Sequence, residues 1–324
     1  MKLSLSSRRL SRTLVLLALF FMAPPLPAQE PPAGEETPTE ALRHELRKVI
    51  GEARDRVFPS LVSIRVVVVQ YYGGKELKGS SLGSGTIITP EGHVLTNQHV
   101  TKNGKKFLCT LSDKRELPAR LVGEDPLTDL AVLQLELPAL GPDDPGLPVA
   151  SFGDSDRLEI GDYVMAMGSP FSLSRSVSLG IVSNTERVFA GGFGSDDVED
   201  MELEQGQRTG LFTRWIQHDA LIQPGNSGGP LVDLEGRIVG INELGASAMG
   251  FAIPSNLARR VSAALIAYGE VVRSWIGASF KPIQRTGLAE GVLISSVVVG
   301  SPAARAGIEA GDVLLAIAGE SSTV

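Results

Sequence analysis

Short runs of β-branched and apolar residues, separated by glycine, proline and other turn residues, dominate the sequence between residues 61 and 253. Runs of this kind bounded by turns are typical of strands. The first set of predicted strands covers residues 61–69, 84–88, 94–97, 107–111 and 130–135. The second set covers residues 163–167, 177–182, 215–217, 230–233, 238–241 and 250–253. The sequence therefore predicts two β units of similar size, each a barrel or a sandwich.

The composition agrees with a mainly β globular chain and limits its partners. Of the 324 residues, 36 are glycine and 5% are aromatic, which indicates many tight turns. A formal net charge of -7 repels phosphate backbones and no local basic patch offsets it, so nucleic acid is not an expected partner. Cys109 is the only cysteine, which excludes an intrachain disulfide and a cysteine-based metal site.

Residues 1–28 have the pattern of an export signal. Three arginines precede an apolar run at residues 14–22, and Ala23 or Ala28 could supply the cleavage position. The run is shorter than the roughly 20 residues that span a bilayer. We expect cleavage after Ala28 and export, with an uncleaved membrane tether as the alternative. Residues 29–39, rich in Pro, Glu and Thr, are predicted to be a linker.

Two helices frame the predicted strands. Thr37 and Glu40 have the spacing of a capping box, and apolar residues then recur at helical spacing up to Val57. Ser255 is predicted to cap a second helix that Gly269 ends. The expected apolar stripe of this second helix consists of Leu257, Val261, Ala264, Leu265 and Tyr268. We expect residues 40–268 to form one domain.

The segment GNSGGP at residues 225–230 lies between two predicted strands and contains a candidate nucleophile, Ser227. A serine hydroxyl needs a base to take its proton and amide donors for the oxyanion that forms on the substrate. Glycine lets the backbone turn so that the amides of Gly225 and Ser227 can converge. The alternative is a glycine-rich turn with an exposed serine.

The candidate base is His99, which follows an apolar strand in the segment TNQHV at residues 96–100. Imidazole accepts and returns a proton near neutral pH. A core or surface histidine without chemistry is the alternative. The other histidines are weaker candidates, because His44 belongs to a helix, His93 to a turn, and His218 to a strand close to the serine.

The candidate acid is Asp129, which directly precedes the apolar strand in TDLAVL at residues 128–133. A partly buried carboxylate can fix the tautomer of a histidine and stabilise its cation. Asp125 is the rival, but Pro126 places it in a turn, where an acid usually serves as a local cap.

In their order, these segments resemble the HtrA (Deg-type) trypsin-like serine proteases. The similar segments are residues 83–85, 96–100, 129–133, 217–230 and 250–256, and the resemblance extends over residues 53–319. It implies a chymotrypsin-like pair of six-stranded β-barrels with His99 as base, Asp129 as orienting acid and Ser227 as nucleophile. It also implies an oxyanion hole at Gly225, Asn226 and Ser227.

The same resemblance bears on specificity and control. It places Ile222 in the primary specificity pocket, where no acid is available to attract Lys or Arg, so cleavage after small or medium aliphatic residues is expected. Asn226 cannot form the ion pair with a freed N-terminus that orders the oxyanion loop of digestive relatives. Control by loop ordering is expected instead, with the aperiodic residues 190–210 as the sensor loop. His218 stands where the family commonly has threonine.

Residues 270–324 resemble a PDZ domain, with Trp275, Ile276 and Gly277 as its carboxylate-binding loop. Such domains capture a peptide C-terminus by adding it as a strand. The sequence stops before the helix and strand that complete the domain, so a partial PDZ domain of α+β type is expected. A structural β extension is the alternative.

The expected function is a periplasmic serine endopeptidase that degrades unfolded or misfolded exported proteins through an acyl-enzyme, without metal or organic cofactor. Unfolded polypeptides, peptide C-termini and a trimer-based homo-oligomer are the expected partners. The helix ending at Val57 could serve the trimer or pack on its own barrel. The alternatives are a regulatory site-specific protease, with which a short loop at residues 70–82 is compatible, and a non-catalytic PDZ-type binder or chaperone.

Overall fold

The fold begins with helix α1 (Pro38–Val57) in a computed structural model that describes residues 37–72, 75–138, 146–169, 175–187, 201–203, 207–209, 213–246, 249–282 and 291–321. The predicted capping box is confirmed. The Glu40 amide donates to Thr37 Oγ1 at 3.2 Å, and the Thr37 amide donates to Glu40 Oε2 at 2.9 Å. These two bonds satisfy amides that have no partner within the helix.

Only the C-terminal part of the apolar face of α1 is buried. Ala53 and Val57 are fully packed in the protein core, and Ile50 is half-buried against it. Leu42 is 70% exposed. Packing on the chain's own barrel therefore accounts for the second half of this helix.

The first barrel follows a 3₁₀ turn at Phe58–Ser60. Its elements are β1 (Leu61–Tyr72), β2 (Lys75–Ile87), β3 (His93–Asn97), α2 (Gln98–Thr101), β4 (Gly104–Thr110), β5 (Glu116–Asp125) and β6 (Leu130–Leu135). The strands are antiparallel and close in the order β1-β2-β3-β6-β5-β4. Buried Val, Ile, Leu and Phe side chains fill the interior.

Two features of this barrel differ from the sequence-based prediction. Strand β5 is absent from the prediction because its apolar residues do not alternate regularly and Pro118 interrupts it. The segment at residues 70–82 is mostly strand and not a loop, since β1 and β2 stay paired out to Tyr72 and Lys75.

The second barrel is formed later in the chain. The elements are β7 (Tyr163–Gly168), β8 (Ser176–Arg187), β9 (Met201–Leu203), β10 (Gln207–Thr209), β11 (Trp215–His218), β12 (Pro230–Val232), β13 (Ile238–Ala246) and β14 (Met249–Pro254). Six of them close in the order β11-β14-β13-β12-β7-β8. The remaining two, β9 and β10, pair with each other inside the proposed sensor loop, and the other residues of that loop lie outside the described part of the chain.

One apolar cluster joins the two barrels. Leu95 and Leu130 come from the first barrel, and Met165 and Ile241 come from the second. All four are fully buried. Burial of this shared surface fixes the ends of β3 and β6 against the second barrel.

Helix α3 (Ser255–Tyr268) packs on both barrels and corrects two expectations. Ser255 does not cap it, because the Ser255 hydroxyl donates to the Gly153 carbonyl at 3.1 Å. Tyr268 lies outside the buried stripe and is 79% exposed. The predicted end at Gly269 is confirmed, since Gly269 has φ of +78° and its amide donates to Leu265.

A smaller unit follows α3. It contains β15 (Ala278–Pro282), β16 (Val292–Val297), α4 (Pro302–Arg305), β17 (Val313–Leu314), β18 (Ala316–Ile317) and β19 (Glu320–Ser321). The first three strands form one antiparallel sheet in the order β15-β16-β17. The two-barrel, mainly β architecture with a small α+β unit after it is confirmed.

The contact between α3 and β5 generates the first testable prediction. A Cβ at Gly123 of β5 would lie 2.2 Å from the Gly269 carbonyl oxygen, so the helix end must move. We expect Gly123→Ala to lower the free energy of unfolding by roughly 1–3 kcal/mol. Urea unfolding measures this. The control Gly51→Ala, where the nearest atom to the new Cβ is 3.9 Å away in α1, should be neutral or stabilising. Equal effects would contradict the packing described here.

Candidate active site

His99 is presented at the start of α2, directly after strand β3. Its amide donates to Asp129 Oδ1 at 2.8 Å, and its ring Nδ1 donates to Asp129 Oδ2 at 2.7 Å. The His99 side chain is 42% exposed, whereas that of Asp129 is 2% exposed. The buried Asp129 carboxylate thus binds one edge of the His99 ring, and the opposite edge reaches the surface.

Asp129 adopts a left-handed backbone conformation, with φ of +52°, at the turn before β6. Aspartate tolerates this region better than most residues. The turn is held by its carbonyl, which accepts hydrogen bonds from Asn97 Nδ2 and from the Gln98 amide, each at 3.0 Å. The same residues that lead to His99 therefore also orient the acid.

Asp125, the rival acid, has a different set of partners. Its Oδ1 accepts from Arg273 Nη1 at 2.6 Å and its Oδ2 from Arg273 Nη2 at 2.5 Å, and its side chain is 5% exposed. The Thr128 hydroxyl also donates to Oδ2, which is the local capping role expected for an acid in this turn. The ion pair ties the turn that carries Asp129 to the segment that follows α3. Arg273 gave no signal in the sequence, because the two partners are 148 positions apart.

Ser227 lies in the loop between β11 and β12, against the first barrel. Its carbonyl accepts from the Ser84 amide at 2.9 Å. The next residue, Gly228, has φ of +81°, and a Cβ there would lie 2.2 Å from Thr96 Oγ1. Only glycine permits this approach, which brings the serine loop beside strand β3, the strand that precedes His99.

The Ser227 hydroxyl donates to the carbonyl of Glu243 at 2.9 Å. Among the described residues, the Glu243 carbonyl is the hydrogen-bond partner of this hydroxyl. The Ser227 side chain therefore points towards β13 and not towards the ring of His99. Glu243 was not singled out from the sequence. No local pattern marks it, because it lies within β13 after the polar Asn242, and its burial, with only 5% exposed, comes from tertiary packing.

Two of the three amides proposed for the oxyanion hole are available. The Asn226 amide donates to the Gln223 carbonyl at 2.9 Å and is therefore committed to the turn. The amides of Gly225 and Ser227 have no acceptor among the described residues. Gly225 has φ of +101°, and its carbonyl accepts from the Ser84 hydroxyl at 2.6 Å.

The proposed specificity residue, Ile222, is half-buried and packs against β13. A Cβ at Gly245 would lie 2.8 Å from Ile222 Cβ, so the two backbones approach closely there. Ile222 also contacts the apolar interior of the second barrel. Its surroundings are apolar, in agreement with the absence of an acid that would attract a basic side chain.

Trp275, Ile276 and Gly277 lie in the smaller unit, before β15. The Ile276 carbonyl accepts from the Ala303 amide at 2.9 Å, and the Gly277 carbonyl accepts from the Val298 amide at 2.8 Å. Trp275 is 64% exposed. In the described ranges, His, Cys, Asp and Glu side chains form no group of three or more that could hold a metal ion.

The comparisons with known proteins agree with this geometry. Residues 83–241 match the trypsin-like peptidase domain, and residues 293–323 match the PDZ domain. A solved structure of the HtrA-type protease AlgW with a tripeptide is 34% identical, with a TM-score of 0.65 and 84% of each chain covered. The chain belongs to the HtrA family. The predicted chymotrypsin-like double barrel and the PDZ resemblance are thereby confirmed.

Two further similar proteins are serine endoproteases by name. The serine endoprotease from Yersinia pestis is 33% identical, with a TM-score of 0.58 and coverage of 84% of this chain and 83% of that one. The probable periplasmic serine endoprotease DegP-like of Ectopseudomonas mendocina is 38% identical over 262 residues, which are 76% of this chain and 50% of the relative. The chain thus spans about half the length of the curated relatives it matches.

The Arg273–Asp125 pair of this HtrA-family protein yields a stability prediction. Arg273→Ala leaves a buried carboxylate without its cation, which we expect to cost about 3–5 kcal/mol in the free energy of unfolding. The double variant Arg273→Ala/Asp125→Ala removes the unpaired charge and should recover part of that loss. Chemical denaturation of the wild type, of Arg273→Ala, of Asp125→Ala and of the double variant measures both effects. A double variant as unstable as the sum of the single variants would contradict the pairing.

The buried His218 makes the stability of the protein sensitive to acid. Burial lowers the pKa of His218 to about 4, against smaller opposite effects of the Ala220 backbone and the Asp219 charge. In the unfolded chain the His218 side chain takes up a proton near pH 6.5, whereas in the folded protein it stays neutral down to about pH 4. The free energy of unfolding therefore falls as the pH drops from 6.5 towards 4, by up to roughly 3 kcal/mol.

The measurement is the free energy of unfolding as a function of pH. His218→Thr should remove this acid-side loss, and His44→Gln, a change at an exposed helical histidine, should retain it. Parallel curves for the wild type and His218→Thr would refute the prediction.

Proposed function

We propose that this chain is a serine endopeptidase in which His99 is the general base, Asp129 orients it and Ser227 is the nucleophile. The observation that carries the proposal is the two-point contact between His99 and the buried Asp129 carboxylate, at 2.7 and 2.8 Å, in a member of the HtrA family. A ring held in this way keeps its Nε2 available as an acceptor, which is the tautomer that a serine base needs.

Catalysis starts with a rotation of the Ser227 side chain. The hydroxyl leaves the Glu243 carbonyl by a change of χ1 and donates to His99 Nε2. His99 takes the proton as the serine oxygen attacks the peptide carbonyl, and then gives it to the leaving amine. In the second half of the reaction His99 takes a proton from water, the water oxygen attacks the acyl carbon, and His99 returns the proton to the Ser227 oxygen as the acyl group leaves. Asp129 stabilises the imidazolium throughout, and the chemistry needs no metal or organic cofactor.

The oxyanion is stabilised by the amides of Gly225 and Ser227. Their lack of other acceptors in the described part of the chain supports this role. Ser84 contributes indirectly, because its hydroxyl fixes the Gly225 carbonyl and its amide fixes the Ser227 carbonyl. Donors that are already oriented stabilise developing charge more than donors that must reorganise.

The substrates are unfolded or misfolded exported proteins, cleaved in the periplasm after small or medium aliphatic residues. The apolar contact of Ile222 with Gly245 supports the side-chain preference. Relatives named as periplasmic endoproteases support the location. Across the described residues, no helix has the length and apolarity required to cross a membrane.

Peptide C-termini and other copies of the chain are the further partners of this enzyme. The PDZ match at residues 293–323 supports capture of peptide C-termini by the loop of Trp275, Ile276 and Gly277. The exposure of Leu42 in α1 supports a trimer-based assembly through the N-terminal region.

Casein hydrolysis by purified variants tests the proposal. Ser227→Ala and His99→Ala should each lower kcat by about 10⁶-fold. Asp129→Asn should lower it by about 10⁴-fold, because an amide orients the wrong tautomer of His99. Asp113→Asn, which changes an acid on the exposed surface, should leave kcat unchanged. Equal hydrolysis by the wild type and Ser227→Ala would remove the enzyme assignment.

A further inference from the structure

Glu243 is a buried acid within strand β13 of the second barrel. Glu243 is 5% exposed, and its carboxyl Oε2 accepts a hydrogen bond from Nε1 of Trp215. Trp215 is itself 1% exposed. No lysine, arginine or histidine of the described residues forms an ion pair with it. An ionised carboxylate in such a place is costly, because burial removes its hydration without supplying a cation.

The charged group that acts on the Glu243 carboxyl is Asp129. Two carboxylates that share a poorly hydrated region do not both ionise at little cost, so one of them keeps its proton. Burial raises the pKa of Glu243 well above its usual value, the Asp129 charge raises it further, and the Trp215 hydrogen bond opposes both.

The hydrogen bonds identify which of the two acids is ionised. Asp129 accepts from the His99 amide and from the His99 ring, one bond to each carboxylate oxygen. Glu243 accepts the single bond from Trp215. Donors favour the charged form of an acid, so the negative charge belongs to Asp129 and the proton to Glu243.

Glu243 is also next to the reacting groups through its backbone. Its carbonyl accepts the Ser227 hydroxyl at 2.9 Å, and a few residues further on β13 approaches Ile222. A negative charge on the Glu243 side chain would therefore change the electrostatic potential at the His99–Asp129 pair and at Ser227.

We propose that Glu243 is held as a neutral carboxylic acid beside the His99–Asp129 pair, so that Asp129, and not Glu243, carries the negative charge. This inference deepens the proposed function and rests on it where His99 is concerned. Glu243 touches no reacting atom with its side chain, so it is not a catalytic residue, and in its neutral form it adds no second negative charge beside Asp129.

The first experiment measures stability against pH in the Ser227→Ala background, which needs no activity. The unfolded chain releases the Glu243 proton near pH 4.5 and the folded chain keeps it, so the Glu243 protein loses stability as pH rises. We expect its unfolding constant to increase relative to that of Glu243→Gln by up to about tenfold per pH unit above this value. Glu243→Thr, which also lacks the proton, serves as a second variant if glutamine disturbs the packing.

The matched control is Glu159→Gln, a change at an exposed acid. Its stability difference from the parent protein should stay flat over the same pH range. A flat difference for Glu243→Gln and Glu243→Thr would overturn the inference, because it would mean that Glu243 ionises alike in the folded and unfolded chain.

The second experiment follows the His99 ring by NMR in the same background, and kcat/KM against pH in the active protein. Because Glu243 is already neutral, Glu243→Gln should leave the His99 titration and the acid limb of kcat/KM in place. If Glu243 were ionised, its replacement by glutamine would remove a negative charge near the histidine and move the acid limb of kcat/KM to lower pH, and that shift would overturn the inference. If the wild type shows no hydrolysis that depends on Ser227, the proposed function is refuted. The stability test of Glu243 stays valid in that case, because it needs no activity.

Discussion

The contact between His99 and the buried Asp129 carboxylate is the interaction on which the rest of the site depends. It is made from two short segments, the turn before β6 and the first turn after β3. The Asp129 carbonyl binds Asn97 and the Gln98 amide, so backbone and side chain are fixed by the same neighbours. A buried carboxylate is tolerated here because the ring and an amide replace the water it has lost.

The second barrel supplies the serine, and the junction between barrels determines where it lies. Ser84 of β2 joins the two halves, since its amide holds the Ser227 carbonyl and its hydroxyl holds the Gly225 carbonyl. The hydroxyl also accepts from the Ser169 amide at 2.9 Å. A fully buried serine with these partners restricts the conformations of the loop that, in the proposed mechanism, presents both nucleophile and oxyanion donors.

Local patterns in the sequence predicted two β units, and the family resemblance predicted that both are six-stranded barrels, which the structure confirms. The catalytic roles of the histidine, acid and serine segments stay predictions. Strand β6 was predicted with its observed bounds because five of its six residues are apolar, with Gln134 as the exception. Strand β5 was missed because its pattern is irregular, and Ser255 was mistaken for a cap because its partner, Gly153, is 102 positions away. Arg273 and Glu243 were missed for the same reason. Their roles depend on tertiary contacts that no local spacing encodes.

The account depends on Ser227 being activated by His99, and covalent labelling tests this most directly. The intact protein is treated with a fluorophosphonate, and the modified residue and its rate of modification are determined by mass spectrometry. We expect a single adduct on Ser227 in the wild type and a loss of at least about a thousandfold in labelling rate in His99→Ala. Labelling of Ser227 at the same rate in both proteins, or no adduct on Ser227 in the wild type, would contradict the account.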